Sequence, residues 1–400
     1  MKRIGKVIWW YISRIYNFAG SIPAYFIRTF LPIRKGTVAC WAWDFKQYSC
    51  NPRYLTEHLL EHAPQFEIYW IFRGSSCPET DSRIKCVKYR SWEYLKLMNT
   101  AEFLVTNTRT DFLRRHCIKR PGQKYLMLWH GGVALKKIEK DVEDRLSYTY
   151  IQKAKGDSAN CDLMVSGCRF HTELIRSSFW YEGEILEKGL PRSDIFFDRD
   201  RHAEIREKIF STFGIDKESR LVLYAPTFRN GRDTKPYSID WNQTKAELAG
   251  HFGSKVTVLI RLHPHLIGKV DISSFTDSPD VKDATRYHDM QELLCASDML
   301  ITDYSSTMFD FMLLRRPCLL YATDIEQYDR GYYFDFKTLP FPLARTQEEL
   351  IRNIREFDMT SYLASTDRFD KEEIGLEEKG DACHELALWM ERHSIQRTSL

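Results

Sequence analysis

At 400 residues and a formal net charge of +3, the chain is long enough for two domains, each with its own core. So small a net charge argues against nucleic acid as a partner. The ten cysteines form no CxxC pair and no zinc-type spacing with histidine, which excludes a zinc ribbon or a disulfide scaffold. Cys40, Cys86, Cys295 and Cys318 stand in apolar runs as small core residues do, and a reducing, cytoplasmic compartment is expected.

Charge is unevenly distributed along the chain. The first acidic residue is Asp44, and before it stand Lys2, Arg3, Lys6, Arg14, Arg28, Arg34 and Lys35. Within residues 1–36, Ile4, Ile8, Tyr11, Ile15 and Phe18 recur at helical spacing, with Trp9 and Trp10 beside them. This is the pattern of a helix lying in a membrane interface. Arg14, Gly20, Pro23 and Arg28 interrupt it, so no run of about 18 apolar residues is left to span a bilayer. No small-residue cleavage site follows a clean apolar core, so a signal peptide is not expected.

Residues 37–198 alternate short apolar runs with helical patterns. Strands are predicted at Thr37–Trp43, Phe66–Phe72, Ile84–Tyr89, Phe103–Asn107, Tyr125–Trp129, Leu163–Ser166 and Glu184–Lys188, with helices between them such as Pro52–His62 and Ser91–Asn99. A helix over Ala203–Phe213 opens a second series, 199–345, with strands at Leu221–Ala225, Val256–Arg261, Val281–Asp283, Met299–Thr302 and Pro317–Tyr321. Residues 346–400 read as helices, Gln347–Phe357 and about Lys371–His393. The alternation predicts two α/β lobes with largely parallel sheets. A ligand crevice is then expected between the lobes, at the carboxyl ends of the strands.

Chemistry-bearing residues cluster at those strand ends. In the run 298–317 the strand Met299–Thr302 is followed by Asp303 and Tyr304. Ser305, Ser306 and Thr307 then stand where a helix begins. Unpaired N–H groups and small hydroxyls there can cradle a phosphate, although a serine N-cap is the commoner role of such residues. Pro226, Thr227 and Arg229 end the strand Leu221–Ala225. Arg261 and His263 share a strand face ahead of Pro264, where a guanidinium and an imidazole suit a diphosphate. Three strand ends of one lobe therefore carry phosphate-type donors.

In the first lobe, His130 ends the strand Tyr125–Trp129. Gly131 and Gly132 behind it permit unusual backbone angles and close approach by substrate. Lys136 and Lys137 suit an anionic ligand. A histidine so placed can take a proton from a hydroxyl nucleophile. Arg192 and Asp194 either pair with each other or touch ligand. Asp198 and Asp200 form a DxD string that reads better as a helix start than as a metal site. No GxGxxG, GxxxxGK[ST] or GxSxG motif is present.

Taken together, the strings WHGGVALKKI (129–138), GLPRSD (189–194), YAPTFR (224–229), RLHPH (261–265), ITDYSSTMFDF (301–311), RRP (315–317) and RGYYFDF (330–336) resemble the CDP-glycerol glycerophosphotransferase family. That family includes teichoic acid primases and polymerases and related capsule enzymes. The resemblance covers about residues 100–340, in the family's order. It implies a GT-B arrangement of two Rossmann-like lobes, with acceptor in the first and CDP-linked donor in the second. It also implies peripheral attachment at the cytoplasmic face of the membrane. By the same resemblance His130 is the base, and Arg229, Arg261, His263, Ser305 and Ser306 hold the donor diphosphate beside Asp303. His130 and His263 are the two catalytic candidates.

The expected activity is transfer of glycerol phosphate from CDP-glycerol to a hydroxyl of a lipid-linked glycan or polyol-phosphate acceptor, releasing CMP. So many fixed cationic donors make a metal or other cofactor unnecessary in this reading. CDP-ribitol or another nucleotide-activated polyol or sugar on the same scaffold is the alternative. A non-catalytic membrane-docked scaffold would be expected to have lost His130, His263 or the serine pair, all of which are present.

Overall fold

The computed structural model describes residues 21–74, 81–112, 118–227, 229, 238–262, 278–326 and 331–394. Two all-parallel sheets organise them. The first has seven strands in the order β3-β2-β1-β4-β5-β6-β7. These are β1 (Arg34–Trp41), β2 (Glu67–Phe72), β3 (Lys85–Lys88), β4 (Ala101–Thr106), β5 (Lys124–Met127), β6 (Leu163–Ser166) and β7 (Glu184–Glu187). The second has six, in the order β10-β9-β8-β11-β12-β13. These are β8 (Arg220–Tyr224), β9 (Val256–Ile260), β10 (Val281–Asp283), β11 (Met299–Thr302), β12 (Cys318–Tyr321) and β13 (Leu343–Ala344). Every residue of β4, β9, β11 and β12 is buried, because helices cover both faces of a parallel sheet.

Each sheet starts in its middle, runs outward one way, then returns and runs the other. The reversal lies between β1 and β4 in the first lobe and between β8 and β11 in the second. Loops leaving the two strands at such a point diverge and open a crevice. The residues after Trp41, Thr106, Tyr224 and Thr302 therefore occupy the natural ligand positions of the two lobes.

The lobes share apolar packing. Tyr54, Val133, Leu135, Ile195 and Phe196 of the first lobe belong to one buried cluster with Leu223, Leu294, Met308 and Phe309 of the second. The helix Cys50–His62 (α2; α1 is the helix over 21–30) adds a polar bridge. Arg53 pairs with Asp289 at 3.0 Å and Glu292 at 2.8 Å, and the Tyr54 hydroxyl donates to Asp289 at 3.0 Å. The segment 135–137 joins 331–333 by an antiparallel bridge, Lys136 to Tyr332. It is flanked by Lys137 N–H to Gly331 O (3.0 Å) and Tyr333 N–H to Leu135 O (2.9 Å).

Several expectations change. The helix expected over about Lys371–His393 is broken. A π turn at Asp370–Ile374 ends at Gly375, and a new helix runs over Ala382–His393. The interruption falls where Gly375 and Gly380 adopt φ of +65° and +82°, which a helix cannot use. That final helix packs back on the first lobe, burying Leu386, Trp389 and Met390 with Leu55 and Leu59. The helix Gln347–Arg355 instead packs in the second lobe, burying Leu350 and Ile354 with Val258 and Tyr321. Cys86 is exposed and disulfide-bonded rather than a buried thiol, while Cys40, Cys295 and Cys318 are free and buried. Asp198 caps the helix Arg199–Phe213, accepting from Arg201 N–H at 3.1 Å, and Asp200 lies in its first turn. Of the basic segment 1–36, residues 1–20 lie outside the described residues. The helix α1 buries Ala24 and Ile27 on Leu95.

Candidate active site

A cleft of about 720 Å³ opens between the lobes where the two strand reversals face each other. From the first lobe it is lined by Trp43, Asp44, Thr108, His130, Lys136 and Arg192, and from the second by Pro226, Thr227, Arg261, Ser305, Ser306 and Thr307. The sequence-predicted residues His130, Lys136, Pro226, Thr227, Arg261, Ser305, Ser306 and Thr307 thus meet in one space. Gly131, Lys137, Arg229 and Asp303 do not line it. His263 lies outside the described residues.

His130 is fixed by its surroundings. Its Nδ1 lies 3.0 Å from the carbonyl oxygen of Asn107. A carbonyl can only accept, so Nδ1 carries the proton and Nε2 the lone pair. The ring lies between indoles, 4.9 Å from Trp43 and 4.2 Å from Trp129. Burial and the nearby Arg192 guanidinium lower its pKa to about 4, against the pull of the Asn107 carbonyl. With so low a pKa it is a neutral imidazole at pH 7.

Backbone strain builds this position. Trp43, Asp44 and Phe45 all adopt left-handed φ, at +49°, +59° and +67°, and Trp129 adopts +48°. Such conformations cost a non-glycine residue about 1–2 kcal/mol each. Asn107 Oδ1 holds the turn by accepting from Trp43 N–H at 3.0 Å. The glycines contribute space rather than backbone angle. A Cβ on Gly131 would meet nothing within 4 Å, whereas one on Gly132 would approach Leu190 Cδ1 at 3.2 Å.

Arg192 connects the histidine to the opposite lobe. Its Nη1 donates to His130 O at 2.8 Å, and its Nη2 to both oxygens of Asp310 at 2.8 and 2.7 Å. Asp310 lies on the short helix Thr307–Met312 that the serine pair precedes. Asp194, the partner suggested by sequence, instead accepts from Ala382 N–H at 3.0 Å and Cys383 N–H at 2.7 Å. Ser306 Oγ accepts from Leu135 N–H at 3.2 Å, across the lobe boundary. Ser305 Oγ donates to Thr307 Oγ1 at 2.8 Å.

Arg229 and Asp303 stand behind the cleft wall. The Arg229 guanidinium binds Asp303 (2.6 Å) and both oxygens of Asp324 (2.8 and 2.9 Å), and lies 4.8 Å from the Tyr304 ring. Asp303 Oδ1 in turn accepts from Thr227 N–H (2.8 Å) and Tyr304 N–H (2.6 Å). With two carboxylates on it, Arg229 is a poor diphosphate ligand and instead fixes the 227 and 303 loops. Arg261 is different. Among the described residues its hydrogen-bond partner is the Met290 thioether at 3.3 Å, a weak acceptor, and burial lowers its pKa. Asp289 is near enough to act on its charge, but a guanidinium on a cleft wall with no carboxylate hydrogen-bonded to it among the described residues favours an incoming anion. Arg261→Ala is expected to raise the donor KM roughly 10- to 150-fold, the worth of a charge-assisted bond of about 1.5–3 kcal/mol, as measured by CMP release at varied donor.

Sequence reasoning missed Trp43, Asn107 and Asn51. Asn51 is buried, donates to Leu128 O (2.8 Å) and Trp129 O (3.0 Å), and accepts from Arg192 N–H (3.0 Å). Trp43 and Asn107 follow the two strands of the first reversal, and that position was their only signal.

Two parallel sheets with this strand order, joined by shared apolar packing and facing one cleft, have the two-lobed architecture of the GT-B-like class. Residues 23–373 match the family described as CDP-Glycerol:Poly(glycerophosphate) glycerophosphotransferase, and the chain belongs to that family. It is 34% identical to a teichoic acid poly(glycerol phosphate) polymerase of Bacillus subtilis (strain 168), over 83% of this chain and 45% of that protein. It is 31% identical to a teichoic acid glycerol-phosphate transferase of Staphylococcus aureus, over 79% of this chain and 82% of that one. The chain spans about half the length of the first of these relatives. Among solved structures, the wall teichoic acid polymerase TagF, in a histidine variant soaked with CDPG, superposes with a TM-score of 0.77 at 26% identity, covering 90% of this chain and 89% of that one.

Proposed function

We propose that the protein transfers glycerol phosphate from CDP-glycerol to a hydroxyl of a lipid-linked or polymeric cell-surface glycan. The observation that carries this reading is His130. Its Nε2 lone pair shares one cleft with Arg261 and the 305–307 turn. The acceptor oxygen attacks the β-phosphorus, the one bonded to glycerol. The bond from that phosphorus to the oxygen bridging the two phosphates breaks, and CMP leaves. Nε2 takes the hydroxyl proton. Arg261 and the N–H groups of the 305–307 turn offset charge on the phosphates. A bound diphosphate raises the pKa of His130, because an adjacent anion stabilises the imidazolium. Residues 37–198 then serve as the acceptor lobe and 199–345 as the donor lobe.

Support for glycerol as the transferred polyol comes from relatives so named, 30–34% identical over 79–83% of this chain. A teichoic acid ribitol-phosphate primase, 28% identical over 86% of this chain, keeps CDP-ribitol as the second reading. Offering each donor separately with a lipid-linked acceptor, and measuring CMP and product mass, tests both. CDP-glycerol is expected to turn over at least about tenfold faster, and equal rates or preference for CDP-ribitol would reverse the assignment.

We further propose peripheral attachment to the cytoplasmic face of the membrane through the segment 1–36. No helix among the described residues is long and apolar enough to cross a membrane. While α1 buries Ala24 and Ile27, it exposes Ile22, Tyr25, Phe26 and Phe30, the last at 72%. Aromatic rings on a surface helix suit a bilayer interface. Replacing Tyr25, Phe26 and Phe30 by serine is expected to shift the protein to the soluble fraction in vesicle flotation with the fold intact. Unchanged flotation would refute the attachment.

A further inference from the structure

A second cavity, of about 530 Å³, lies in the first lobe beside the cleft, sharing Asp44 and Thr108 with it. Its walls combine the cations Arg73, Arg90, Arg109 and Lys153 with aromatic rings and two carboxylates, Asp44 and Asp111. The guanidinium of Arg73 sits 4.9 Å from the centre of the Tyr89 ring, and that of Arg90 sits 5.2 Å from the same ring. Phe45 stacks on Tyr89 at 4.4 Å, completing an aromatic floor. Two guanidinium groups gathered on one ring concentrate positive charge in a pocket that the mechanism above does not use. Arg73 also pairs with Asp44 at 3.0 Å, with both side chains about half exposed. Surface pairs of that kind are worth little and exchange readily. Asp44, Phe45 and Arg90 all hold left-handed backbone, at φ +59°, +67° and +66°. Strain of this kind collects where a ligand is bound.

We propose that this pocket binds the phosphodiester-bearing end of the acceptor, a polyol-phosphate chain, and delivers its terminal hydroxyl to His130. The inference rests on the transferase reading and adds where the acceptor lies and what recognises it. Arg73 and Arg90 bind the phosphodiester anion, and the Phe45–Tyr89 surface packs against the polyol carbons. The route to the base is short. Thr108, on the shared rim, follows Asn107, whose carbonyl holds His130. The helix Trp92–Thr100 (α3) turns Tyr94 into the pocket and Leu95, one position on, against Ala24 and Ile27.

The test is calorimetric titration of the full chain with a short synthetic glycerol phosphate oligomer and, separately, with CDP-glycerol. Arg73→Ala/Arg90→Ala is expected to weaken oligomer binding about tenfold or more while CDP-glycerol affinity stays within about twofold. Arg261→Ala is expected to do the reverse. The paired Arg→Lys variant should restore part of the oligomer binding, since charge remains without the planar fork. Oligomer affinity unchanged in the double alanine variant, or lost equally in Arg261→Ala, would overturn the proposal, as would no oligomer binding to the parent protein. Failure of the transferase reading looks different: the parent protein would release no CMP from CDP-glycerol with any acceptor.

Discussion

Replacing His130 by alanine is expected to cut CMP release by about 10²–10⁴-fold while leaving CDP-glycerol binding within a few-fold. The loss corresponds to roughly 3–5 kcal/mol of transition-state stabilisation. Binding survives because the donor's contacts are assigned to the other lobe, at Arg261 and the 305–307 turn. The pH profile adds a readout that a structural role would not move. The base works when unprotonated, so activity falls as pH drops through its pKa. For the protein alone that pKa is about 4, and kcat/KM should hold down to that region. The bound diphosphate raises the value, so the acid limb of kcat should lie at higher pH. In His130→Ala both limbs should vanish. Near-normal turnover in the variant, or an unchanged profile, would remove His130 from the role.

How much of this was legible follows from physics that is local or not. Strands of a parallel sheet are buried on both faces and read as apolar runs. Leu163–Ser166, Val281–Asp283 and Met299–Thr302 match to the residue, and the other predicted strands fall within three positions at each end, the largest offset being the start of Arg34–Trp41 against Thr37. The strand Leu343–Ala344 is two residues long, too short to leave a pattern. The convergence of 130, 226–227, 261 and 305–307 followed from a topological rule applied to correctly placed strand ends. Side-chain partners did not follow. Arg229 reads as a phosphate ligand from its strand-end position, because Asp303 and Asp324 lie 74 and 95 residues away in sequence. Nothing local announces them. Arg192 likewise finds Asp310 across 118 residues, not the Asp194 two positions on. The carboxyl-end rule locates a site, and only packing decides which charges face it.

Arg192→Met is expected to destabilise the fold by about 3–5 kcal/mol and to lower turnover as well, and the two effects can be separated. Arg192 and Asp310 are both largely buried, with side-chain exposures of 9% and 12%. Burial raises the Asp310 pKa, and Arg192 opposes that rise. Removing the guanidinium leaves a buried carboxylate unpaired, the costly half of breaking such a pair. Asp310→Leu on its own leaves the opposite charge stranded and should cost a similar amount. The double variant Arg192→Met/Asp310→Leu strands neither, and apolar replacement of a buried ion pair is often neutral or stabilising. Its urea midpoint should therefore recover toward that of the parent protein. Turnover should not recover, because the Arg192 bond to the His130 carbonyl is still missing. That bond couples the base to the helix behind Ser305 and Ser306. Donor KM should change less than kcat, since Arg261 is untouched. Recovery of stability and turnover together would make Arg192 a fold element only. Recovery of stability alone would show that a buried ion pair across the lobe boundary sets the position of the base against the diphosphate.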